Sequence, residues 1–174
     1  GTNTDIHETV MAEAELAQRL EREQRNAALL AKVAHAARKL QTVLWDGDIA
    51  EVLVSEVRDI LQEHQAVVSI TEGANWSQAI NAVSLSDKYA PYRAYAERTD
   101  GSGIYAEVCR TNQPLRLTQQ QLEAHPQWKG FGRHAAAHPP IRGWLAVPLI
   151  DRTGKNIGLI QASDKIEGEF SAED

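Results

Sequence analysis

The sequence predicts an α+β domain: an antiparallel β-sheet of about five strands with flanking helices, preceded by a long N-terminal coiled-coil-like helix. Three observations carry this reading. Residues from about Asp5 to Leu44 hold neither glycine nor proline and are rich in Ala, Leu, Glu, Gln and Arg, all strong helix formers. Two pairs of short runs, 66–71 with 78–85 and 144–150 with 157–163, have strand composition and are joined by turn residues. A fifth, shorter run lies at 114–118. Helical segments fall before and between these runs, the arrangement that covers an antiparallel sheet.

The N-terminal helix comes first. Stepping by threes and fours gives Leu16, Leu20, Glu23, Ala27, Leu30, Ala34, Ala37, Gln41 and Leu44, the narrow apolar seam of a coiled coil. Glu15 with Arg19 and Glu21 with Arg25 are i,i+4 pairs suited to an exposed face. A rod of some 40 residues spans roughly 60 Å, far more than one small domain needs. The expectation is a homodimer through this helix; the competing reading folds it back onto its own domain. Gly47 interrupts the pattern, with Trp45 as a packing anchor and Asp48 as N-cap of a second helix. In that helix Ile49, Val52, Leu53, Val57, Ile60 and Leu61 form one broad apolar face made to lie on a sheet.

The sheet follows. Ala66 to Thr71 is β-branched and ends at the turn residues Gly73-Ala74-Asn75. Gln78 to Leu85 then alternates, with Ile80, Ala82 and Ser84 against Ala79, Asn81 and Val83, so the two runs form a hairpin. Pro114 to Thr118 is the short third strand. Trp144 to Ile150 and Ile157 to Ser163 flank the polar turn 151–156 and form the last hairpin. Ser171 with an acid three residues on, Asp174, is a helix-start signature. The expectation there is a fragment that breaks off at its C-terminal helix.

Between the hairpins lie about 60 residues that are not sheet core, yet seven of the ten aromatics sit in or beside them. Aromatics with polar tips line small-molecule pockets, so Trp76, Tyr89, Tyr92, Tyr95, Trp128 and Phe131, with Arg93 as an anion partner, are the candidate ligand-binding residues. The competing reading makes them cover for one sheet face. Tyr105 completes the seven.

Composition excludes other classes. The chain of 174 residues has a net charge of −6, which argues against nucleic acid as a partner. No window approaches the roughly 18 apolar residues of a membrane span, and the start is unlike a signal peptide. The single cysteine, Cys109, excludes an internal disulfide and a Cys-based zinc cluster and suits a cytoplasmic location. His134 and His138, four apart with His125 nearby, are the only metal-like spacing; an ordinary helix terminus explains them as well. No nucleophile–base pair, phosphate loop or paired catalytic carboxylates stand out, so an enzyme is not expected.

From about Ile49 to Asp174 the chain resembles a GAF domain. Gly143-Trp144-Leu145-Ala146-Val147-Pro148-Leu149 and Ile157-Gly158-Leu159-Ile160 are similar to the family's last two strands. Gly103 to Val108 and Thr111-Asn112-Gln113-Pro114-Leu115 resemble the helix and short strand before them. Val83 to Tyr89 and His138 to Gly143 resemble a subgroup in bacterial multidomain sensor histidine kinases. The resemblance implies residues 1–45 as a signalling helix and 46–174 as a sensory domain. Its partners would be an unknown small molecule and a kinase or other output domain in the same chain.

The resemblance also bears on cofactors. Cyclic-nucleotide-binding members carry Asn-Lys, a spacer, then Phe-x-x-x-Asp-Glu. Here Asp164-Lys165 and Phe170-x-x-x-Asp174 stand in that place, implying a structural Lys165–Asp174 pair rather than a nucleotide site. No cysteine lies where bilin-binding members attach their chromophore, so covalent bilin is not expected. Methionine sulfoxide reductases of related fold need several cysteines. The leading expectation is a ligand-binding sensory module relaying through dimeric helices. The rivals are a ligand-free dimerising spacer and a metal or haem sensor.

Overall fold

The structure, a computed structural model, describes residues 2–43, 49–73, 75–95, 101–131 and 135–174. The sequence expectations for Leu44, Trp45, Gly47, Asp48, Ala74 and His134 lie outside the described residues, as does the side chain of Gln41.

Helix α1 (Thr2–Val43) is one unbroken helix of 42 residues. It meets the domain near its C-terminal end, where Ala36 is buried and Lys39 pairs with Glu56 of α2 (Ile49–Leu61). The expected seam faces water: Leu16, Leu20 and Leu30 are 58%, 50% and 68% exposed. Glu21 and Arg25 pair at 3.9 Å, whereas Arg19 pairs forward with Glu23 at 3.6 Å. Pairs this exposed contribute little.

Strands β1 (Glu63–Glu72), β2 (Ser77–Leu85), β3 (Leu115–Leu117), β4 (Trp144–Ile150) and β5 (Asn156–Lys165) form one sheet. Its order is β2-β1-β5-β4-β3, with every pairing antiparallel. The two expected hairpins thus join edge to edge through β1 and β5. That junction needs Gly158, since a Cβ there would stand 2.2 Å from the Ser69 carbonyl oxygen. Side chains alternate across the sheet. On one face Ala66, Val68 and Ala82 pack against Ala50 and Val54 of α2, with Leu53, Val57, Leu149 and Ile160 around them. A register shift between Val68 and Ser69 breaks the even alternation expected of β2, so that Ile80 and Val83 both face the opposite side.

That opposite face is covered by α3 (Ile104–Thr111) and α4 (Gln119–Ala124). Their Ile104, Val108, Cys109 and Leu122 pack with Leu117, Trp144, Ala146 and Leu159. Thr118, expected within a strand, instead caps α4: its hydroxyl accepts from Gln121 N while the Gln121 side chain accepts from Thr118 N. This reciprocal cap satisfies two otherwise orphaned donors. A 3-10 turn at Asp87–Tyr92 leads from β2 towards α3.

The corner where β5 ends is closely tied. Lys165 pairs with Asp174, as the family resemblance implies. Ser171 N donates to Asp174 Oδ2 at 2.6 Å, and Glu173 N donates to Ser171 Oγ at 3.1 Å. Beside them the Glu63 side chain is fully buried, and neither carboxylate oxygen closes a well-formed hydrogen bond. Burial pushes its pKa up to about 9. Asp174 adds to the rise, Arg58 and Lys165 oppose it, and the Ser163 backbone N–H tempers it least. A carboxyl in such surroundings stays protonated at neutral pH.

Candidate functional site

A cavity of about 150 Å³ lies between the α3 side of the sheet and the connection that follows β2. Its floor comes from Gln65, Val67 and Ser69 of β1, Gln78, Ile80, Val83 and Leu85 of β2, Trp144 of β4, and Gln161 to Ser163 of β5. Its roof is Tyr92, Tyr95, Tyr105, Phe131 and the run His138, Pro139, Ile141. The sheet supplies rigid positions, and the long connection supplies the aromatics.

The candidate residues divide. Tyr92, Tyr95 and Phe131 line the cavity. Trp128 meets Phe131 edge to face at 5.2 Å but packs on the α3 core, as does Trp76. Tyr89 is buried with its hydroxyl donating to Asp164 Oδ2 at 2.5 Å. Arg93 turns outward and pairs with Asp87 at 3.0 Å. The Tyr89 and Tyr92 rings touch edge to face with centroids 6.1 Å apart, but the backbone is non-helical at Tyr89 (φ −113°, ψ 18°) and only Tyr92 reaches the cavity.

Sequence reasoning missed the polar floor. Gln65, Ser69, Gln161 and Ser163 all sit on the inward face of two central strands, where a plain core would carry aliphatics. That inward polarity is the signal, but it becomes visible only once faces are assigned. Several of these groups are satisfied within the protein. Ser69 Oγ donates to Gln78 Oε1 at 3.0 Å, and Gln78 Nε2 donates to Thr71 Oγ1 at 3.0 Å. Thr71 in turn donates to Asn156 Oδ1 at 2.8 Å.

The other groups keep one end in hand. Gln65 Nε2 donates to Pro140 O at 2.5 Å, and Trp144 Nε1 donates to Gln161 Oε1 at 3.2 Å. Arg142 N donates to Ser163 Oγ at 3.3 Å. His138 stacks on Phe131 with centroids 3.5 Å apart and meets Tyr95 edge-on at 4.6 Å. Its Nδ1 lies 2.6 Å from Pro139 O. Burial lowers the His138 pKa to about 4, against the pull of that carbonyl, so the ring is neutral at physiological pH.

The roof is clamped to the floor through Asp164, at φ +58° and nearly fully buried. Lys88 and Tyr89 both donate to its Oδ2, Arg142 stands 3.8 Å from Oδ1, and its N–H donates to Arg142 O at 2.9 Å. Burial alone would raise the carboxyl, but the hydrogen bonds from Lys88 and Tyr89 outweigh it and hold the pKa below the usual value. His64 completes the cluster, 2.8 Å from Ser86 Oγ and edge-on to Tyr89.

Cys109 is buried outside the cavity, and burial raises its thiol pKa, so it is a poor nucleophile. His125 stands apart, 3.7 Å from Glu107. Among the described residues no group of three or more His, Cys, Asp or Glu side chains is placed to hold a metal ion. Among the same residues no helix is long and apolar enough to cross a membrane.

The family model for the GAF domain matches residues 22–174. The chain belongs to the GAF domain family. GAF domains are generally sensory or regulatory modules rather than catalysts. Among solved structures, this GAF domain is similar to that of a phosphoenolpyruvate-protein phosphotransferase from Coxiella burnetii. They share 16% identity and a TM-score of 0.65, over 83% of this chain and 82% of that one. The nlh2 GAF domain from A. aeolicus, in an inactive state, shares 16% identity and a TM-score of 0.57, over 83% and 84% of the two chains. Free methionine-R-sulfoxide reductase from Neisseria meningitidis, in complex with its substrate, shares 13% identity and a TM-score of 0.56, over 77% and 74%. Likeness at these identities speaks to fold alone. No curated protein matches the sequence.

Proposed function

We propose that this GAF domain is the sensory module of a bacterial signal-transduction protein, a sensor histidine kinase, and that it binds a small molecule in the cavity under Tyr92, Tyr95 and Phe131. The observation that carries the reading is the cavity itself. It combines an aromatic roof with amide, hydroxyl and imidazole groups, several of which have hydrogen-bonding capacity left over. A few placed polar groups in an apolar shell are what a binding site needs for orientation and selectivity.

The relay follows from three consecutive residues of β5. Ser163 lines the cavity, Asp164 clamps the roof, and Lys165 grips Asp174. A guest that shifts Ser163 therefore acts through covalent bonds on both ion pairs. The helices respond only if the guest binds one arrangement better than the other. The exposed Leu16, Leu20 and Leu30 of α1 supply the seam through which two copies pair.

Thermal shift against a metabolite panel tests binding: a ligand at about 100 times its Kd raises stability by about 2.7 kcal/mol. A flat profile across the panel, with Leu20→Gln and Leu30→Gln still dissociating a dimer in sedimentation, would reassign the domain as a spacer. Monomeric wild-type protein in the same runs would remove α1 from the mechanism.

A further inference from the structure

The geometry points to an uncharged, amide-bearing, single-ring compound as the cavity's ligand, one that both donates and accepts hydrogen bonds. This inference rests on the cavity being a sensory site and adds the chemistry of its guest.

Each polar group on the wall has one end already committed, which fixes the character of the other. A carbonyl oxygen can only accept, so the end of Gln65 that meets Pro140 O at 2.5 Å is its amide nitrogen. Gln65 is 96% buried on the cavity wall, at 4% relative exposure. Among the described residues its Oε1 has no hydrogen-bond partner and is not sealed off as the Glu63 oxygens are, so it is an open acceptor on the cavity wall for a guest or ordered water. The same reasoning fixes His138: Pro139 O accepts from Nδ1, which leaves the Nε2 lone pair as an acceptor on the neutral ring. An indole N–H can only donate, so Gln161 turns Oε1 to Trp144 and keeps its NH₂ for the cavity. The Ser163 hydroxyl accepts from Arg142 N and retains its own proton.

The described wall thus offers two acceptors, Gln65 Oε1 and His138 Nε2, and two donors, Gln161 Nε2 and the Ser163 hydroxyl. A carboxylate or phosphate brings no proton to the acceptors. An ammonium or amidinium brings no lone pair to the donors, and either charge would have to be buried against neutral groups. An amide carries both N–H and C=O and matches both sets. The size agrees: an apolar cavity of 150 Å³ admits a benzene ring, and the volume here is about 150 Å³. The aromatic roof then stacks a flat ring.

An isosteric charge series tests the inference: benzoate, benzamide and benzamidine, with benzene as an apolar control, titrated into the whole domain and followed by amide NMR shifts. The expected result is benzamide binding at least about tenfold more tightly than either ion. Gln65→Leu should weaken benzamide about tenfold and leave benzene binding unchanged, which also shows that the variant folds. Equal or tighter binding of benzoate or benzamidine overturns the ligand class and leaves the sensory site standing. Binding of benzene alone does the same. No shift with any of the four overturns both, since the cavity would then be a sealed packing gap.

Discussion

Replacing Glu63 with glutamine separates the cost of a buried ionisable group from the cost of its shape. In the native state burial holds the Glu63 pKa at about 9, against 4.5 for the ordinary side chain. Between those values the folded protein binds one proton more than the unfolded chain, so unfolding free energy falls as pH rises, by about 1.4 kcal/mol per unit. The penalty is absent below about pH 4.5 and complete above about pH 9. From pH 5 to pH 8 the wild type should lose about 4 kcal/mol from this group alone.

Glutamine has nearly the same shape and no such titration. Its amide finds no better partners than the carboxyl does, which costs about 1–3 kcal/mol at every pH. The informative quantity is therefore the change in the wild-type-minus-variant difference, in which groups titrating alike in both proteins cancel. Urea unfolding followed by tryptophan fluorescence at pH 5, 6, 7 and 8 measures it. The variant should gain on the wild type at each step, by about 4 kcal/mol in all. Parallel pH profiles, agreeing within about 0.5 kcal/mol, would show that Glu63 is ionised in the folded state and sink the reasoning.

Three further outcomes follow from the packing. Asp164→Ala should cost about 2–3 kcal/mol in urea unfolding, because the buried Tyr89 hydroxyl loses its acceptor while half-exposed Lys88 can turn to solvent. Asp164→Asn, which tolerates the left-handed backbone, should cost less. Its gap to wild type should close as pH falls below 3.8, since a carboxylate with a depressed pKa stabilises the fold only above its folded value. Leu122→Ala removes a fully buried side chain and should cost about 2–5 kcal/mol by the same assay. Gly158→Ala places a Cβ 2.2 Å from Ser69 O and should lower the melting temperature by more than about 10 °C in calorimetry, with a change under about 3 °C counting against the tight β1–β5 junction.

Much of the fold was legible because its signals are local. β4 matches its expected span, and β5 gains only Asn156, Asp164 and Lys165. β1 begins three residues earlier than expected, since Glu63-His64-Gln65 reads as polar loop while the structure buries Glu63 and Gln65. The bulge in β2 was invisible for a different reason: a period of two has no way to register one extra residue. Helix α4 was missed although Thr118-Gln119-Gln120-Gln121 carries the capping-box spacing, because Leu115 and Leu117 drew Thr118 into a strand.

The candidate site was half legible. Aromatic richness led to Tyr92, Tyr95 and Phe131, and also to Tyr89 and Trp128, which the same chemistry commits to packing. Which tyrosine faces the cavity depends on a kink at Tyr89 and on Asp164, some 75 residues away, and spacing along the chain holds no record of either. His138 drew notice as a metal candidate and within the His138 to Gly143 resemblance, but not as a cavity residue. Its packing against Phe131 and Tyr95 depends on how the connection folds, not on local spacing.

The attachment of α1 has a mechanical consequence. Ala36 and Lys39 fasten the helix to the domain near one end, and the contact between Arg22 and Glu173 at 3.8 Å joins two exposed side chains, too weak a tie to act as a second bearing. From Ala36 back to Thr2 the rod runs about 50 Å at 1.5 Å per residue. A tilt of about 5° at the Ala36 fulcrum would carry its far end roughly 4 Å sideways, about three quarters of the helical pitch. The domain can thus change by less than a side chain's width at the cavity and still move its distant end by a distance that another protein can read.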